Sequence, residues 1–216
     1  AEVEILASAT AGLLHTRVST GEYDVVHFIG HGEYDDDADK GYLLFEDAHG
    51  GTQRLGDREL REILCRRSIR LVFLNACESG KGGRSDFNRG VAPALVAGGV
   101  PTVIANQYSV LDVSATVFAQ SLYWSLARGE SIGSAAKEAR VCVNYSISGE
   151  SIDWAVPVVY TRNPQEVLCT GGPAVSSGMQ HFSANRIQRR GKREREQQDE
   201  EEGQVEIGRA SCRERV

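Results

Sequence analysis

Two short apolar runs constrain the fold more than any other part of the chain: Tyr23–Glu33, YDVVHFIGHGE, and Leu71–Gly80, LVFLNACESG. Val25, Val26, Phe28, Ile29, Val72 and Phe73 are β-branched or aromatic, so both runs read as strands buried on both faces. Each stops abruptly at small residues that carry one chemically able side chain. In the first this is His31, between two glycines, and in the second it is Cys77. A histidine and a cysteine at neighbouring strand ends are the ingredients of a base and a sulfur nucleophile.

The remaining pattern alternates between strands and helices. VEIL near the N-terminus reads as a strand, and Leu13, Leu14 and Val18 give Thr10–Ser19 a helical stripe that Gly21 ends. Strand, helix and strand in about 30 residues make a βαβ unit with parallel pairing. Glu33–Lys40, EYDDDADK, reads as an acidic loop, followed by a hairpin of Tyr42–Glu46 and Thr52–Leu55 around DAHGG. Asp57 is the expected N-cap of a helix with Leu60, Ile63 and Leu64 on one face. Gly90–Ala97 reads as a buried helix, Thr102–Asn106 as a buried strand, and Asp112 as the cap of a helix to about Arg128. A further helix is expected from Ser131 to about Asn144, and Asp153–Tyr160 as an edge strand because it carries a proline. Such alternation predicts a three-layer α/β domain with a mostly parallel central sheet and helices on both faces.

Hydrophobic residues make up 41% of the 216, enough for one ordinary domain, which the pattern places at 1–164. The chain opens without methionine directly before a strand and reads as N-terminally truncated. A disordered polyampholyte linker is expected over 165–205, and 206–216 resembles the conceptual translation of a sequencing adapter. No stretch approaches the ~18 apolar residues of a membrane span, so a cytoplasmic protein is expected, with no membrane partner. Formal charge is −6; basic and acidic residues cancel within Arg186–Glu202 and Glu206–Val216 adds one positive charge, leaving −7 on 1–185. An acidic globular part is a poor non-specific nucleic-acid binder. Cysteines at 65, 77, 142, 169 and 212 form no CxxC pair, which argues against zinc ligation and a disulfide framework. Gly80–Phe87, GKGGRSDF, lacks the spacing of a phosphate-binding loop and reads as a loop beside the cysteine.

Open α/β sheets hold ligands outside the carboxyl ends of their strands, where His31 and Cys77 fall. Gly30 and Gly32 let a substrate approach the backbone beside His31. The N–H groups of Gly32 and Cys77 are then candidates for an oxyanion hole. The plain alternative is a loop histidine and a small core cysteine. His27, on the same strand, is expected to be structural. Asn75 and Glu78 flank Cys77 and either shape its loop or touch substrate. With Asp35–Asp39, the weaker substrate-binding candidates Glu78 and Asp112 would favour a basic group in the ligand.

HFIGHG at 27–32 and ACESG at 76–80 resemble HFxGHG and A-C-E-[ST]-G of the CHAT family, caspase-like peptidases related to caspases and separases. Caspases carry Q-A-C-x-G about 50 residues after their histidine; here the separation is 46. GVAPALVAGGVPTVIAN, Tyr108–Thr116 and the tryptophan of Asp153–Ala155 resemble later family segments, so the similarity runs over about residues 1–164. The resemblance implies a caspase-like sandwich in which His31 is the base or proton shuttle and Cys77 the nucleophile. It also implies that no third catalytic residue, metal or cofactor is needed. The expected substrate is a protein or peptide, in bacterial conflict or death signalling, with an upstream sensor or tetratricopeptide region as gate. Two rivals stay open: a catalytically silent interaction domain, and an unrelated α/β hydrolase, which Asn75 disfavours because its elbow needs glycine there.

Overall fold

The centre of the fold is β5 (Leu71–Glu78), whose Leu71, Val72, Phe73, Leu74 and Ala76 are all buried. A strand apolar on both faces can only be internal, and it pairs in parallel with β2 (Val25–Asp35) on one side and β6 (Thr102–Asn106) on the other. The structure, a computed structural model, describes residues 2–65, 67–78, 90–146, 152–170 and 204–209, and at 77, 78 and 204–209 the backbone alone. Their elements form two compact units.

The first unit is the α/β body expected, with a sheet that is mixed where a mostly parallel one is expected. Its sheet runs β1 (Glu2–Leu6), β8 (Gln204–Arg209), β2, β5, β6 and β7 (Pro157–Thr161), with β3 (Lys40–Glu46) on β2 and β4 (Thr52–Leu55) on β3. Parallel pairing is confined to the centre, β2–β5–β6; the outer pairs are antiparallel. Alternation sends Val26, Phe28, Val72, Leu74, Ala76, Val103 and Ala105 to one face. There they share a core with Leu14 and Val18 of α1 (Ala11–Thr20), Leu60 and Leu64 of α2 (Asp57–Leu64), and Leu95 of α3 (Val91–Gly98). Leu71, Phe73 and Ile104, on the opposite face, are equally buried.

Local signals explain the helix ends. Thr10 accepts the Leu13 N–H at 3.1 Å to open α1, and the Gly21 N–H closes it on Arg17 at 2.9 Å. Gly99, at φ 119°, ends α3 in the left-handed region that glycine tolerates. Gly98 has no room for a side chain: an added Cβ would lie 2.4 Å from Cys65 Sγ.

Several expectations are corrected. The run Glu33–Lys40 is not a loop, because β2 continues to Asp35 and β3 begins at Lys40. The carboxylate of Asp35 makes the turn, accepting the N–H groups of Asp37 at 3.1 Å and Ala38 at 2.9 Å. Charge thus hid a strand whose register is set by its partner. Asp57 and Asp112 each lie one place inside their helices; Gly56 and Leu111 are the caps. The Gly56 N–H is met by Glu59 at 3.1 Å instead. β1 and β2 are parallel but not paired, since β8 stands antiparallel between them. Residues 204–209, for which no element is expected, therefore form a strand, while 171–203 and 210–216 lie outside the described residues. β7 is the edge strand expected, but it starts at Pro157, after a single 3-10 turn at Asp153–Ala155.

The second unit holds α4 (Asp112–Ala127), α5 (Ile132–Ser146) and that turn. Phe118, Leu122 and Leu126 on α4, and Ala135, Ala136, Ala139 and Val143 on α5, are buried at helical spacing. Asp153 supplies the cap that α4 lacks: one carboxylate oxygen accepts the Ser114 hydroxyl at 2.5 Å and the Leu111 N–H at 3.4 Å. Among the described residues no helix is long and apolar enough to cross a membrane.

Leu74→Ala, in the shared core, is expected to cost about 2–5 kcal/mol, read as a lower urea midpoint. Arg58→Ala, which breaks only an exposed ion pair with Glu62, should stay within about 0.5 kcal/mol. Asp153→Ala removes the borrowed cap and should cost about 1 kcal/mol, a fall of roughly 2–4 °C in Tm.

Candidate active site

The ladder between β2 and β5 runs from Val25↔Leu71 to Gly32↔Glu78, and within it His31 is the register partner of Cys77. Neighbouring strands lie ~4.8 Å apart, so the two Cα atoms sit side by side. His31 is not at the end of its strand, as expected, but one residue before the end of the parallel ladder. From Gly32, which pairs with both Glu78 and Leu43, β2 runs antiparallel to β3 as far as Asp35↔Lys40. Cys77 is the penultimate residue of β5. The site is thus built at the carboxyl edge of parallel strands, where the fold class places ligands.

His27 and His31 play different parts. His27 is buried and stacks on Phe73, with ring centroids 4.4 Å apart and an interplanar angle of 6°. The two are register partners, so the stack is a same-face neighbour contact across the ladder. His31 is partly buried, four residues further on the same face.

Gly32, a candidate oxyanion donor, is buried and lies in register with Glu78 and Leu43. Glu78 closes the ladder, and Asp112 belongs to the second unit. The β2–β3 hairpin carries the acidic residues away from the site: Glu33 is held bidentately by Arg54 at 2.5 and 2.9 Å, and Asp39 accepts the Tyr34 hydroxyl. Asp35 stands four residues beyond His31, about 13 Å along the strand. The loops at Gly80–Asn88 and Ser146–Ser151, candidates for self-cleavage, fall outside the described residues apart from Ser146, the last residue of α5. Among the described residues no group of three or more His, Cys, Asp or Glu is placed to hold a metal ion.

One polar contact at the site has no counterpart in the sequence reading. The Asn106 side-chain amide, 1% exposed, donates to Asn75 Oδ1 at 2.9 Å. Asn75 lies two residues before Cys77 and Asn106 at the end of the next strand, β6. A signal existed, since two asparagines closing apolar runs must find partners if buried. Nothing in the chain order says that they find each other.

Backbone register sets His31 beside Cys77, and histidine and cysteine are the residue types of a general base and a sulfur nucleophile. A family model for the CHAT domain matches residues 1–162. No curated protein matches the chain. With the motifs, the α/β sheet and the match over three-quarters of its length in agreement, the chain belongs to the CHAT-domain family, which is related to the caspase-like peptidases.

Proposed function

We propose that this chain is a cysteine endopeptidase module acting on protein or peptide substrates through the dyad His31 and Cys77. The observation that carries the reading is the register pairing of these two residues at the carboxyl edge of the parallel strands. His31 takes the thiol proton and the Cys77 sulfur attacks the scissile carbonyl carbon. The N–H groups of Gly32 and Cys77 are the donors assigned to the oxyanion that forms. As the tetrahedral adduct collapses, the C–N bond breaks, His31 gives its proton to the leaving amine, and a thioester remains. Water then loses a proton to His31 and attacks the thioester, releasing the carboxylic acid and restoring the thiol.

A preference for Lys or Arg before the cut is proposed on charge complementarity, with Glu78 next to Cys77 in sequence and the acidic turn Asp35–Asp39 acting from further along the β2–β3 hairpin. Glu33 is already committed to Arg54, which leaves the turn rather than the strand as the source of field. Upstream regions of a longer protein, of sensor or tetratricopeptide type, are proposed to gate the site, and the setting proposed is cytoplasmic.

Incubation of the 216-residue chain with an unbiased peptide library, read by mass spectrometry, tests the dyad. Cys77→Ala and His31→Ala are each expected to lower cleavage by at least about 10³-fold. Cuts that persist in both variants overturn the reading. Mapped cut sites should show Lys or Arg enriched on the acyl side, and the pair Asp36→Asn, Asp37→Asn should reduce that enrichment; no basic preference removes the role of the acidic turn.

A further inference from the structure

We propose that Asn75 and Asn106 form a positioning pair that fixes the end of β5 carrying Cys77; its catalytic consequence rests on the peptidase reading. The two flanks of β5 are unequal. On the β2 side the ladder continues to Gly32↔Glu78, whereas on the β6 side it stops at Leu74↔Ala105. Among the described residues, the last four of β5, Asn75–Glu78, have a strand partner on the β2 flank and none on the β6 flank. The Asn106 to Asn75 hydrogen bond lies one step beyond the last rung of the β5–β6 ladder. It continues the β5–β6 contact by side chains where the strand register ends.

Asn106 is itself well anchored. It is buried and is the register partner of Pro157 on β7. The backbone N–H of the next residue, Gln107, donates to Val156 O at 3.1 Å. The hydrogen bond thus ties the end of β5 to the rigid pair β6 and β7. Cys77 follows Asn75 by two residues, about 6.6 Å along the strand. A misplacement of about 1 Å at a reacting centre can cost about 10²-fold in rate, so a strand end held on one flank needs a second restraint. Neither asparagine is assigned contact with substrate; both act through the position of Cys77 relative to His31.

The test reads Cys77 directly. Alkylation by iodoacetamide is followed from pH 5 to 9, with modification of Cys77 resolved by peptide mass spectrometry. The chains are wild type, His31→Ala, Asn75→Ala, Asn106→Ala and the double Asn75→Ala/Asn106→Ala. Asn106→Ser is added as a variant that keeps a polar group but is too short to reach Asn75. Folding of each is checked by circular dichroism.

In the wild type the rate at pH 7 should exceed that of His31→Ala by about tenfold or more. Each asparagine variant should lose about tenfold, moving toward the His31→Ala profile, and the double should lose no more than either single because one hydrogen bond is removed once. In peptide cleavage the same variants should lower kcat with KM little changed. Folded asparagine variants with a wild-type alkylation profile overturn the positioning role while leaving the dyad intact. Should an alanine variant fail to fold, a wild-type profile in Asn106→Ser has the same force. A wild-type profile equal to that of His31→Ala instead overturns the dyad reading, and the positioning role falls with it.

Discussion

The parallel ladder between β2 and β5 is the constraint on which the candidate site depends. It holds eight residue pairs in register, from Val25↔Leu71 to Gly32↔Glu78. Because side chains alternate between faces, a slip by one residue would send every apolar side chain of one strand to the wrong face. Val26, Phe28, Val72, Leu74 and Ala76 are buried on one face, and His27 and Phe73 are buried and stacked on the other. The cost of exposing them is what fixes His31 beside Cys77. The candidate site takes its geometry from burial on both sides of the sheet.

Polar groups inside this apolar centre are placed where they serve the strands. Thr102 and Thr161, register partners on β6 and β7, join their hydroxyls at 2.8 Å. Asn106 closes the same strand with a hydrogen bond to Asn75. An unmet amide at 1% exposure would carry a desolvation penalty of about 1–3 kcal/mol, so such residues specify which strand ends meet. His27 contributes instead through its ring face, a contact worth about 0.5–1.5 kcal/mol beyond burial.

The carboxylates follow a different rule. Those with a defined partner do structural work: Glu33 with Arg54, Glu59 on the Gly56 N–H, Asp35 within its turn, and Asp153 at the start of α4. Glu4 links the Tyr23 hydroxyl to Arg17 at 3.1 Å, joining β1, the segment that leads into β2, and α1. A carboxylate ending in a turn or at a helix start satisfies backbone donors that the ladder cannot reach.

The sequence by itself determined the elements that depend on short-range pattern. The strands 71–78 and 102–106, the helices opened by Thr10 and closed by Gly99, and the hairpin from Lys40 to Leu55 follow from apolar periodicity and turn residues a few positions apart. His31 and Cys77 were legible as a pair because each ends an apolar run with small neighbours. What only the tertiary structure decided was pairing at long range. It extended the acidic segment into β2 by giving it β3 as partner, and it set β8 between β1 and β2. It moved the cap of α4 to Asp153, 41 residues beyond Asp112, and joined Asn75 to Asn106 across 31 residues. Local pattern encodes which face a residue takes, whereas the identity of its neighbour depends on which strands meet, and that is settled by burial of the whole sheet.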